Sequence, residues 1–133
     1  MNLMLFRGLA SRLLLSKRKV KEEPPAVISV TEPILITSAE DGNTYSLDSA
    51  TARITLPLSS TLTTGWTIRV QTTAMGRYVV VKPAEVGMEL VTVWGEPCDG
   101  ISMNSLDAKA TIEFTGSLFE TSVLAGTVNG YWD

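Results

Sequence analysis

Short runs of residues that alternate apolar and polar, cut off from one another by turn residues, constrain this chain more than any other feature. Ala52, Ile54 and Leu56 oppose Arg53 and Thr55; Trp66, Ile68 and Val70 oppose Thr67, Arg69 and Gln71; Ala110, Ile112 and Phe114 oppose Thr111, Glu113 and Thr115. A period of two with one apolar side belongs to a strand that packs on one face, and it is incompatible with an amphipathic helix. Runs of the same kind cover 27–30, 34–37, 44–47, 52–58, 66–72, 78–82, 89–94, 101–106, 110–115, 119–124 and 128–132. Turn signals fall at Asp41-Gly42-Asn43, Thr64-Gly65, Met75-Gly76, Asp99-Gly100, Thr115-Gly116 and Asn129-Gly130. The pattern predicts an all-β fold, an antiparallel β-sandwich or jelly roll, with no helix beyond a turn or two in the body.

The alternation begins only after Pro24-Pro25. The first 21 residues carry Arg7, Arg12, Lys17, Arg18, Lys19 and Lys21 and no acidic residue. The rest of the chain has five basic residues against fourteen acidic ones, so a net charge of −3 conceals a +6 arm on a −9 body. Residues 2–18 can form an amphipathic helix with Leu3, Phe6, Leu9, Ala10 and Leu13 on one side, although Gly8 weakens it by ~1 kcal/mol. Two prolines then enforce an extended connector. The expected division is a basic N-terminal arm, extended or helical, over 1–25 and a β-sandwich over 26–133, a size sufficient to bury its own core. The arm is expected to meet a partner through Leu3, Phe6, Leu13 and Leu14 and through Arg7, Arg12, Lys17, Arg18, Lys19 and Lys21. Its order of features is the reverse of a secretory signal, and Leu13-Leu14-Leu15 falls far short of the ~20 apolar residues of a membrane span.

The chain has no histidine and one cysteine, Cys98. That excludes Ser-His-Asp and Cys-His machinery, histidine-ligated zinc and an intrachain disulfide. Asp41-Gly42-Asn43 lacks the further ligands of a calcium loop. Glu85, Glu89, Glu96 and Asp99 lie near Trp94, a composition seen around glycosidase carboxylates, but solvated loop charges are its ordinary meaning. No catalytic, metal or cofactor residue is expected. Trp66 sits on an alternating run and belongs to the core, whereas Trp94, beside Gly95 and Pro97, and Trp132, next to the C-terminus, are candidates for a contact surface with a subunit or a sugar. The basic run meets no base-reading pattern, so no specific nucleic acid is expected.

The order of segments from 41 to 133 resembles a small β-domain that recurs in tailed-bacteriophage virion proteins. Gly42-Asn43-Thr44-Tyr45-Ser46-Leu47 matches its G-x-x-Y-x-L strand, and Ala52-Arg53-Ile54-Thr55-Leu56-Pro57 its strand ending in Leu-Pro. Gly65-Trp66-Thr67-Ile68-Arg69-Val70 matches the glycine-led strand, Tyr78-Val79-Val80-Val81-Lys82-Pro83 the valine-rich run before proline, and Gly130-Tyr131-Trp132 the closing aromatic strand. The stretch from Pro83 to Gly100, with Trp94 and Cys98, is longer than the simple turn of the pattern. The resemblance implies a non-enzymatic module, commonly a homotrimer, located in the virion. A head decoration or cement protein bound to the major capsid protein or another virion protein is the leading expectation. A receptor- or glycan-binding module of a head or tail fibre is the alternative.

Overall fold

The computed structural model describes residues 26–73, 79–85 and 91–132. Within them run twelve strands: β1 (Val27–Val30), β2 (Pro33–Leu35), β3 (Thr44–Leu47), β4 (Arg53–Leu56), β5 (Thr67–Thr72), β6 (Val80–Pro83), β7 (Val91–Val93), β8 (Glu96–Cys98), β9 (Gly100–Met103), β10 (Lys109–Phe114), β11 (Phe119–Ala125) and β12 (Val128–Tyr131). Two short 3-10 turns, Ser38–Glu40 and Ser59–Thr61, are the only helical elements among the described residues. The all-β expectation holds. The arm and its expected partner residues, Leu3, Phe6, Arg7, Arg12, Leu13, Leu14, Lys17, Arg18, Lys19 and Lys21, lie outside the described residues, as do Met75-Gly76 and Glu89.

The strands form a seven-stranded sheet, ordered β1-β3-β5-β10-β11-β7-β8, and a five-stranded sheet, ordered β12-β9-β6-β4-β2. The pairing is mixed, where alternation had suggested antiparallel sheets. β1, β3 and β5 stack in parallel, and so do β2, β4 and β6 in the other sheet. The chain therefore winds as three turns of a flattened coil, passing from one sheet to the other and back at each turn. Parallel neighbours need a crossover, and here the crossover is a strand in the facing sheet, as in β-helices. Beyond β6 the chain turns back: β9 pairs antiparallel with β6, and β10 with β5. β11 closes a hairpin on β10 and runs parallel to β7.

The inward residues of both sheets make one core. Tyr45, Leu47, Ile54, Leu56, Ile68, Val70, Ile101, Ile112 and Phe119 are all fully buried in it. The residues assigned to the apolar side of each alternating run, Ala52 through Phe114, are buried as the period requires. Trp66 packs edge-on to Phe119 at 6.2 Å and spends its indole N–H on the Ser38 carbonyl at 3.1 Å. Cys98 is buried, and its thiol donates to the Val91 carbonyl across the β7–β8 hairpin at 2.8 Å.

Polar side chains fasten the coil at its corners. The Asp48 carboxylate accepts hydrogen bonds from Ser29 at 2.5 Å, Ser46 at 2.6 Å and Thr73 at 2.6 Å, one from each successive turn of the coil. These three bonds hold its acid below the ordinary carboxylate range, the Ser29 bond first. Ser49 and Thr51 donate to the Thr31 carbonyl, tying the second turn to the first. At the opposite corner the Tyr45 hydroxyl donates to Glu40, and burial together with that acidic partner pushes its pKa up to about 12.

Candidate functional site

The sheet order gives the molecule two unlike ends. At one end lie β1 and β2, each hydrogen-bonded to a strand on one side only among the described residues. At the other lie β8 and β12. In the seven-stranded sheet six strand spacings separate the ends, about 29 Å at the usual spacing.

The β1–β2 end is unfinished. Val30 of β1 reaches the core, but Ile28, which shares its side of the strand, is 37% exposed, with no further turn of the coil beside it among the described residues. Val27 is 55% exposed and Leu35 67% exposed, so both edge strands present apolar side chains to solvent. Pro33 removes one donor from β2, a partial guard against strand addition, whereas β1 carries no such guard. This is also the end at which the basic arm joins the body, since β1 starts two residues after Pro25.

The β8–β12 end is closed by the two tryptophans that the sequence marks as contact residues. Trp94 and Gly95 form the two-residue turn between β7 and β8, both with positive φ (58° and 82°), the geometry that lets a tight hairpin follow the twist of its strands. The turn aims the Trp94 indole across to the other sheet, where its N–H donates to the Val128 carbonyl at 3.3 Å. Trp132 does the reverse, donating from the end of β12 to the Pro97 carbonyl on β8 at 3.2 Å. Gly130 makes room for it: a Cβ there would stand 2.7 Å from the Trp132 ring. Each indole thus satisfies a carbonyl on the facing edge strand, and Pro97 offers no donor to a newcomer. The rings remain largely in solvent, Trp94 at 75% and Trp132 at 58% exposure.

Beside this clasp the outer face of the five-stranded sheet is shaped by a second glycine. A Cβ on Gly100 would meet the Val81 carbonyl oxygen at 2.5 Å and Lys82 Cγ at 3.0 Å. Its absence lets the Lys82 stem cross β9, placing the ammonium 5.5 Å from the centre of the Tyr131 ring. Next to Tyr131 a hollow opens over Ser102, Asn104 and Asn129.

Of the carboxylates grouped in the sequence, Glu89 lies outside the described residues. Glu85 accepts from the backbone and hydroxyl of Ser59 at 3.4 and 3.1 Å, and Glu96 is exposed on edge strand β8. Among the described residues no group of three or more His, Cys, Asp or Glu side chains converges as metal ligands would. No helix among them is long and apolar enough to cross a membrane. The asparagines of the hollow carried no signal in the sequence: Asn129-Gly130 reads as a turn, whereas both residues lie within β12 and pair with Ser102 and Ile101.

No protein-family model matches the chain, and no curated protein matches it.

Proposed function

We propose that this protein is a non-enzymatic structural protein of a bacteriophage virion, a head decoration or cement protein that assembles as a homotrimer and is anchored to the major capsid protein by its N-terminal arm. The observation that carries this reading is the asymmetry of the ends. The end distant from β1, where the described body begins, is closed by the Trp94 and Trp132 bonds, while the β1–β2 end exposes Val27, Ile28 and Leu35 on two edge strands. An apolar edge left open in a folded domain is a surface for partners. The charge division acts in the same sense, because a +6 arm is repelled neither by an acidic shell nor by the −9 bodies of its neighbours.

In this mechanism Leu3, Phe6, Leu13 and Leu14 bury against capsid subunits, each contributing ~1.5–3 kcal/mol before ordering costs. Fixing the backbone costs about 1–2 kcal/mol per residue, so one arm alone binds weakly and three arms of a trimer act together. Lys17, Arg18, Lys19 and Lys21 steer the encounter, an effect that salt weakens. The test is incorporation into particles. Phe6→Ala with Leu13→Ala is expected to abolish it, whereas neutralising Lys17, Arg18 and Lys19 slows it and blunts its salt dependence. A double alanine variant that decorates particles as well as the wild type refutes the anchoring mechanism, and recovery of the chain in tails rather than shells replaces it with the fibre-module alternative.

A further inference from the structure

The hollow beside the tryptophan clasp has about 430 Å³ of room and lies on the outer face of the five-stranded sheet. Its base follows one row of paired residues across three strands, Val80 on β6, Ser102 on β9 and Asn129 on β12. Asn104 borders it beyond the end of β9, and the segment from Gly130 to Trp132 borders it along β12. Three properties define what it can hold. The first is an unmet acceptor: Asn104 Oδ1 is buried and has no hydrogen-bond partner among the described residues. A buried carbonyl oxygen without a donor retains its full desolvation cost, so a turn of the Asn104 amide that carries it to a donor in the hollow is favoured. The second is neutrality. Among the described residues the lining side chains are two amides, a hydroxyl, a valine and two aromatics, and the nearest cation, Lys82, lies over the Tyr131 ring. The third is a fixed aromatic border, because Lys82 packs over the Tyr131 ring and Trp132 is pinned to Pro97.

A neutral occupant that offers several hydroxyl donors and acceptors together with C–H faces suited to aromatic edges is a saccharide. We propose that this hollow is a saccharide-binding site, in which Asn104 Oδ1 accepts from a ring hydroxyl and Asn129 and Ser102 supply the remaining polar contacts. All of the described lining residues lie in the β-body. The site uses the size and mixture of groups typical of small-ligand sites, a mostly apolar concavity with a few convergent polar atoms.

The experiment is a titration of the isotope-labelled full-length protein, followed by two-dimensional amide NMR, with free glucose, galactose, mannose, rhamnose, N-acetylglucosamine, maltose and lactose at millimolar concentrations. At least one sugar is expected to give saturable shifts centred on Ser102, Asn104, Asn129 and Tyr131. Asn104→Ala should weaken that binding about tenfold, the worth of one hydrogen bond, without lowering the melting temperature. Asn129→Ala, an exposed change that leaves the fold alone, should weaken it as well, while Leu124→Ala on the other sheet should not. The proposal is overturned if no member of the panel shifts these residues, if the shifts centre elsewhere, or if both asparagine variants bind as the wild type does.

Discussion

Replacing Asp48 by alanine tests how the coil is held together. Its carboxylate accepts from Ser29, Ser46 and Thr73, so the substitution frees one side chain on each of three successive turns. A hydrogen bond to a charged group contributes ~1.5–3 kcal/mol when buried. Asp48 is only partly buried, and solvent screens such bonds toward the lower values of exposed pairs, which brings the sum to about 2 kcal/mol. For a body of this size that corresponds to a fall in Tm of roughly 8–15 °C. The effect must also depend on pH. The folded acid is held below its ordinary range, so the unfolded chain takes up the proton first as pH falls. The stabilisation is therefore complete above the ordinary aspartate pKa and disappears as pH drops through the lower folded value. Asp48→Asn should cost less than Asp48→Ala, because the three hydroxyls can rotate toward an amide, and it should flatten the acid limb. Circular dichroism melts of the three proteins at neutral and acid pH supply the comparison. If Asp48→Ala melts within about 2 °C of the wild type at neutral pH, the carboxylate does not fasten the turns and the reasoning fails.

Three further outcomes follow from the same geometry. A truncated chain beginning at Pro25 should give a β-type circular dichroism spectrum and a cooperative melt, since every described strand begins at Val27 or later; a coil spectrum or aggregation contradicts the domain boundary. Sedimentation equilibrium of the full chain should give a trimer at micromolar concentration, because exposed edge strands are commonly covered by symmetric association; a monomer counts against the assembly reading. Tyr45 should ionise only near pH 12, and the fold should lose stability between the ordinary tyrosine pKa and that value, as the unfolded chain releases the proton first. Tyrosinate absorbance reports it, and Tyr45→Phe should remove the late step.

The strands were legible because burial on one face leaves a period of two in the residues that line it. Runs such as Arg53–Leu56, Thr67–Thr72 and Lys109–Phe114 lie within or one residue from the limits the alternation predicts. The edge strand Glu96–Cys98 was not, since Gly95 and Pro97 read as a loop, and proline is tolerated there only because the strand's outer side needs no donor. The parallel coil was hidden for a different reason. Alternation fixes which face a residue occupies and is silent about which strand lies beside it. The turns of the coil are also unequal: the step from Val27 to Thr44 is shorter than the step from Thr44 to Arg69, so no repeat of fixed period marks the sequence. Trp94 and Trp132 stood out by size, and both rings are exposed. Their reciprocal bonds across the edges, and the hollow with Asn104, depend on backbone neighbours brought together only by the fold.

The most direct test of the proposed function is an electron-microscopy map of the particle that contains this chain. It should show trimers of the β-body on the outside of the head, with the β1–β2 end turned toward the shell, the arm residues Leu3 to Lys21 running over or between capsid subunits, and the Trp94–Trp132 end facing away. Bodies seated on the shell by the tryptophan end, with the arm making no contact to a capsid subunit, would contradict it.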